Sequence, residues 1–165
     1  MRSWRKPILS VYLWIAALAW CALLFYFSGQ SGAESGALSL RFTRFVLRAF
    51  PFLPYSVQQL EPVLRKCAHF GIFAVEGFLL GAAMMTTLRN RRAGGALAAT
   101  VCAVVAALNE YHQSFSVGRS CELRDMLIDA GGGITGVLCA ALMLCAAFHI
   151  ARRLGRRSGE NVIIS

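Results

Sequence analysis

The sequence predicts an all-α membrane protein: a four-transmembrane-helix bundle with an amphipathic interfacial helix in the first outer loop. Three observations carry this expectation. Charged residues are only 15% of the 165 and apolar ones 57%, with a mean hydropathy of +0.57, against about 25% and 45–50% in average chains. Four stretches, 8–27, 67–88, 93–112 and 126–150, reach the length of about 20 apolar residues that crosses a bilayer core. Between the first two, 38–50 carries arginines at helical spacing opposite an apolar face. This composition excludes an ordinary soluble enzyme and a disordered chain. In so apolar a chain the net charge of +9 orients the protein in a membrane, so nucleic acid is not an expected partner.

The first span, Ile8–Phe27, has no charge and carries Tyr12, Trp14, Trp20 and Tyr26, aromatics suited to the headgroup region. Arg2, Arg5 and Lys6 precede it as they would a signal peptide. Its apolar core is longer than the usual 7–15 residues and no clear A-x-A site follows, so a retained helix is expected.

Ser28-Gly29-Gln30-Ser31-Gly32 reads as a turn opening a loop, 28–66, too long for a bare helix connection. Within it Arg41, Arg44 and Arg48 share one helical face, and Leu38, Phe42, Phe45, Val46 and Ala49 occupy the other. Such a helix lies in the membrane interface with its arginines at phosphate level; Pro51 and Pro54 end it. Two readings stand side by side: a scaffold helix capping the bundle, or one that holds anionic lipid head groups.

The second span, Cys67–Leu88, contains His69 and Glu76; the third, Ala93–His112, is free of charge until Glu110; the fourth, Met126–Ile150, contains Asp129. Ionisable groups at membrane depth cost several kcal/mol unless partnered or wetted, so these impurities mark a site.

Positive charge sets the orientation. Segments 1–7, 89–92 and 151–165, 26 residues in all, hold ten Lys and Arg; loops 28–66 and 113–125, 52 residues, hold seven. The threefold difference in density puts both termini in the cytoplasm, with a membrane domain over 1–150 and a basic cytoplasmic tail, expected to fray, over 151–165. The chain threads back and forth, so Ser28 and Gln30, then Arg65, Lys66 and His69, then Asn109, Glu110, His112 and Gln113, then Asp125 and Asp129 all reach the outer end. Glu76 lies about 10 Å deeper than His69 by helical rise. Asp125, Asp129, Gly132 and Gly136 form one stripe, acidic above and G-x-x-x-G below, a pattern that permits close helix contact. Arg119, in the tight loop Ser116–Ser120, is placed to fold over this polar chamber and pair with Glu110, Asp125 or Asp129. The bland alternative is that these charges simply neutralise one another and glue the helices together.

The residues Phe27-Ser28-x-Gln30, Arg65-Lys66-x-Ala68-His69-Phe70 and the block Glu110-x-x-Gln113-x-Phe115, Gly118-Arg119, Asp125, Asp129 and the glycines to Gly136 make the chain similar to the VanZ-like family of small membrane proteins. The match spans most of 20–140 in order and spacing. Two positions depart from the family's pattern: Asn109 stands where an acid is frequent, and Asp129 where Asn is common. The resemblance implies a multi-span fold in a bacterial inner membrane and a part in teicoplanin-type antibiotic tolerance. It supplies no chemical mechanism.

Three function classes follow from the chamber. A binder would hold membrane lipids or an anionic amphiphile, such as a lipid-linked cell-wall precursor or a lipoglycopeptide, through Ser28, Gln30, Arg65, Lys66, Gln113, Arg119 and Asp129, with Arg41, Arg44 and Arg48 on lipid head groups. A hydrolase or transferase acting on a lipid-linked phosphate would use His69 as general base, oriented by Glu110 or Asp125, with Arg119 or Lys66 stabilising an oxyanion or phosphate. A transporter would relay protons through Glu76, Asp129 and His69, but four spans without an inverted repeat argue against a complete carrier. His with carboxylates suits a divalent cation in principle, yet no diagnostic spacing appears, so neither metal nor cofactor is expected. Of six cysteines, Cys67 and Cys121 reach the outer side, where a disulfide between them is open.

Overall fold

The computed structural model describes the backbone over 5–163 and side chains over 8–153. Of the charges read as topological, Arg2, Arg5, Lys6, Arg156 and Arg157 lie outside the described side chains. Five helices follow in order: α1 Arg5–Ser28, α2 Gly32–Ala49, α3 Val57–Thr87, α4 Arg91–Gln113 and α5 Leu123–Ile163. Four of them, α1, α3, α4 and α5, are long and apolar enough to cross a membrane.

Local chemistry sets the helix starts. Ser31 and Glu34 form a capping box at α2: the Glu34 amide donates to Ser31 Oγ at 3.3 Å and the Ser31 amide to Glu34 Oε2 at 3.0 Å. Ser56 and Gln59 repeat the device at α3, at 3.3 and 2.9 Å. Asn90 Oδ1 accepts from the amides of Arg92 and Ala93 to start α4. The capping boxes correct two expected boundaries. α2 begins at Gly32 rather than Leu38, and α3 at Val57 rather than Cys67, because a capped polar turn extends a helix well beyond its apolar window. α2 stops at Ala49, before the constraint that Pro51 places on Phe50. At the other end of the chain α5 stays helical through Ile163, so the expected frayed tail begins as a continuous extension of the last span.

α3 is the central element. Against α5 it packs backbone to backbone: a Cβ at Gly77 would run into the carbonyl of Gly133, and one at Gly136 into the carbonyl of Ala74. Only glycine allows helices this close, which is the use of the G-x-x-x-G stripe. Leu80, Met84, Met85, Ala98, Cys102, Val137 and Ala140 fill the lower core, and Leu24, Phe73 and Ala106 the upper one. Trp20 donates its indole N–H to the Ile72 carbonyl at 3.0 Å and ties α1 to the middle of α3.

α2 has three sides rather than two. Thr43 is fully buried and Ser35 and Ser39 half-buried against the bundle, Leu38, Phe42 and Phe45 remain exposed, and Arg41, Arg44 and Arg48 project on the third side. Small hydroxyl side chains let this helix settle on the bundle while Leu38, Phe42 and Phe45 stay at least half exposed.

Candidate functional site

The ends of α1, α3, α4 and α5 that carry the polar residues meet at one end of the bundle, under α2 and the loop between α4 and α5. Two cavities of about 440 Å³ each open there. The first runs between α1, α2 and α3 and is walled by Leu24, Phe27, Leu38, Phe42, Leu64, Ile72 and Phe73, with Ser28, Gln30, Ser35 and Asn109 at its polar edge. The second lies between α3 and α5 and is walled by Glu61, Lys66, Glu122, Asp125 and Asp129. Arg65, His69, Gln113 and Arg119 line both and form their common wall. Of the residues read from the sequence as lining the polar chamber in a catalytic or ligand-binding role, apart from the interfacial arginines of α2, Glu110 alone lines neither cavity. The chamber thus has an apolar arm and a charged arm.

Each side chain has a traceable position. Lys66 Nζ pairs with Asp125 Oδ1 at 2.5 Å, both side chains about a third exposed. One turn deeper, His69 Nδ1 lies 3.5 Å from Asp129 Oδ1. That is ion-pair reach but longer than a hydrogen bond, and among the described residues no hydrogen bond reaches either oxygen of the fully buried Asp129. Glu110, also buried, accepts the Glu122 amide on Oε2 at 3.2 Å. Ser28 Oγ donates to the Asn109 carbonyl at 3.2 Å. The buried Asn109 Oδ1 and Gln113 Nε2 have no hydrogen-bond partner among the described residues.

Two expected pairings are corrected. Arg119 pairs with none of Glu110, Asp125 and Asp129; its Nη1 donates to the Ser28 carbonyl at 3.0 Å and its Nη2 to Ser35 Oγ at 3.1 Å. The cause is the loop. Gly118 at φ 75° turns the chain, and the Gly32 amide donates to the Val117 carbonyl at 2.9 Å, so the loop docks on the start of α2. Burial, and then the nearby charge of Arg65, pushes the Arg119 guanidinium below its ordinary pKa. The second correction concerns His69, whose carboxylate neighbour is Asp129, because Lys66 takes Asp125 and the Glu122 amide takes Glu110.

Other expected members lie apart. Arg41, Arg44 and Arg48 line neither cavity and are exposed. His112 packs edge-on to Phe25 at 5.6 Å, with Nδ1 3.5 Å from Ser28 Oγ, outside both walls. Glu76 is buried deeper in the bundle, its Oε2 without a hydrogen-bond partner among the described residues. Cys67 and Cys121 are exposed and free. Among the described residues no three His, Cys, Asp or Glu side chains converge as a metal set. The sequence reading passed over Ser35 and Glu122, although Ser35, Ser39 and Thr43 at i, i+4 and i+8 form a legible small polar stripe.

The family model for VanZ/LLP1 matches residues 13–144, a span that takes in every residue of both cavity walls. The chain belongs to the VanZ/LLP1 family. No curated protein and no solved structure gives a significant match. Family membership and four apolar helices together make this a multi-pass membrane protein.

Proposed function

We propose that this VanZ/LLP1 protein binds an amphiphile with an anionic head and a hydrocarbon tail: an anionic lipid, a lipid-linked cell-wall precursor or a lipoglycopeptide. In this reading the chamber opens to the outer leaflet of a bacterial inner membrane, both termini are cytoplasmic, and ligand capture contributes to tolerance of teicoplanin-type antibiotics. One observation carries it. Two adjoining cavities of equal size have opposite linings, and their shared wall presents Arg65 and Arg119, neither of which pairs with a carboxylate among the described residues. A tail fits the apolar arm between α1 and α2 while the head meets the two guanidinium groups and His69. Arg41, Arg44 and Arg48 then hold α2 among lipid phosphates beside the tail's entrance.

The test is native mass spectrometry of the purified protein with phosphatidylglycerol, undecaprenyl phosphate and teicoplanin, each against phosphatidylcholine. Arg65→Gln and Arg119→Gln should each weaken retention of at least one acidic amphiphile by roughly tenfold, the worth of a charge-assisted hydrogen bond. Equal retention of phosphatidylcholine and all three acidic amphiphiles would refute the reading.

The His69–Asp129 contact favours a second reading, a hydrolase or transferase acting on a lipid-linked phosphate. Asp129 would face the Nδ1 edge while Nε2 takes the proton of an attacking water or alcohol, and Arg65 and Arg119 would neutralise the phosphate. The attacking oxygen would bond the terminal phosphorus as the P–O bond to the departing lipid phosphate breaks, and the proton would pass from His69 to that leaving oxygen or to solvent. Undecaprenyl pyrophosphate turned over by the wild type but not by His69→Ala would establish it; retention of undecaprenyl phosphate without turnover of the pyrophosphate would leave binding alone.

A further inference from the structure

At the far end of the bundle from the chamber, α3 passes into α4 through Arg89-Asn90-Arg91-Arg92, which lines a shallow cavity of about 650 Å³. α5 runs beside this turn. Two guanidinium groups from different helices each approach one ring: Arg91 of α4 lies 5.8 Å from the centroid of Phe148, and Arg152 of α5 lies 5.5 Å from it. All three side chains are exposed. Among the described residues neither arginine forms an ion pair. A bias of positive charge toward one membrane face explains why arginines are here. It does not explain why two like charges fold onto one aromatic ring when each was free to extend into water. Phe148 and Arg152 also lie beyond the matched span 13–144, so the arrangement is not covered by the family match.

We propose that Arg91 and Arg152, braced on Phe148, form a binding site for the phosphate of an anionic phospholipid. The guanidinium fork matches phosphate oxygens two at a time, and an anion between two arginines replaces their repulsion with attraction. The ring holds both side chains in place before the ligand arrives, which reduces the ordering cost of binding. The start of α4 adds the positive end of a helix dipole beside Arg91. The same chemistry would accept free inorganic phosphate; the position at the end of two membrane-spanning helices favours a lipid as its source. This site is separate from the chamber and does not depend on the reading given for it.

The experiment uses the full chain in nanodiscs of phosphatidylcholine containing a minor share of phosphatidylglycerol, with retained lipid read by native mass spectrometry. Phosphatidylglycerol should be enriched around the wild type. Arg91→Gln with Arg152→Gln should reduce the enrichment roughly tenfold, and Phe148→Leu, which leaves every charge in place, severalfold. Arg91→Lys with Arg152→Lys keeps the charge, and therefore the orientation in the bilayer, but loses the fork; it too should bind less. Enrichment unchanged in the Lys pair or in Phe148→Leu would show bulk charge alone and overturn the proposal. In pure phosphatidylcholine nanodiscs, millimolar inorganic phosphate that binds the wild type but not the Gln pair would identify the free ion as the source. Arg124→Gln, an exposed arginine at the other end that lines neither chamber cavity, should leave the enrichment unchanged.

Discussion

Lys66 Nζ stands 2.5 Å from Asp125 Oδ1, whereas Arg65, its neighbour in the chain, faces the wall shared by both cavities without an ion pair among the described residues. Adjacent cations on α3 therefore do different work. Lys66 joins α3 to α5 through its ion pair; Arg65 faces the chamber unpaired with any carboxylate among the described residues.

Replacing Lys66 with Ala should lower stability by no more than about 1 kcal/mol, because both side chains are about a third exposed and solvent screens the pair. The same change should leave retention of acidic amphiphiles much closer to wild type than Arg65→Ala does. Thermal unfolding in detergent and native mass spectrometry check the two halves. Equal binding losses would mean that Lys66 also meets the ligand.

Gly77→Ala and Gly136→Ala should each destabilise the bundle by about 1–3 kcal/mol, since each new methyl group meets a backbone carbonyl of the facing helix. Gly36→Ala is the matched control. Nothing lies within 4 Å of its Cβ, and Ala favours the helix over Gly by roughly 1 kcal/mol. Unfolding midpoints should move in opposite directions for the two kinds of substitution.

Arg119→Lys should release the loop from α2. A single ammonium does not reproduce the two-branched reach to the Ser28 carbonyl and Ser35 Oγ. Hydrogen exchange at the Gly32 amide, which bonds to Val117, should speed up by roughly tenfold or more, as expected for loss of charge-assisted bonds. Exchange in α5 should not change.

The hydrogen bonds from Ser31 hold the Glu34 carboxyl below its ordinary pKa, those of the side chain contributing most. A lowered pKa in the fold means that this support for α2 is present above the ordinary carboxylate range and is lost as pH falls through the lowered value. Exchange of the first α2 amides should therefore be slow at neutral pH and approach that of Ser31→Ala in acid. A wild type that keeps its full advantage over Ser31→Ala in strong acid would contradict the capping role.

The four spans and the gathering of polar residues at one end were legible because both follow from hydropathy and threading direction, which are one-dimensional. Partner choice was not. Arg119 was expected to seek a carboxylate, but the turn at Gly118 and the amide of Gly32 deliver it to α2, and no charge pattern records such a docking. His69 meets Asp129 rather than Asp125 because Lys66 occupies the upper acid, a competition visible only in three dimensions. The early starts of α2 and α3 were readable: Ser31-x-x-Glu34 and Ser56-x-x-Gln59 are capping signatures hidden behind a search for apolar windows. The bundle face of α2 escaped because Ser35, Ser39 and Thr43 look polar, yet they are the small groups that let the helix approach.

Where Gly77 and Gly133 bring α3 and α5 into main-chain contact, no flexible side chains remain between the two helices to yield. In the binding reading proposed above, the widening that admits a guest is expected from across the chamber, where α2 rests on hydroxyls and the α4–α5 loop docks on its start, so that entry is sideways and opposite this close-packed spine.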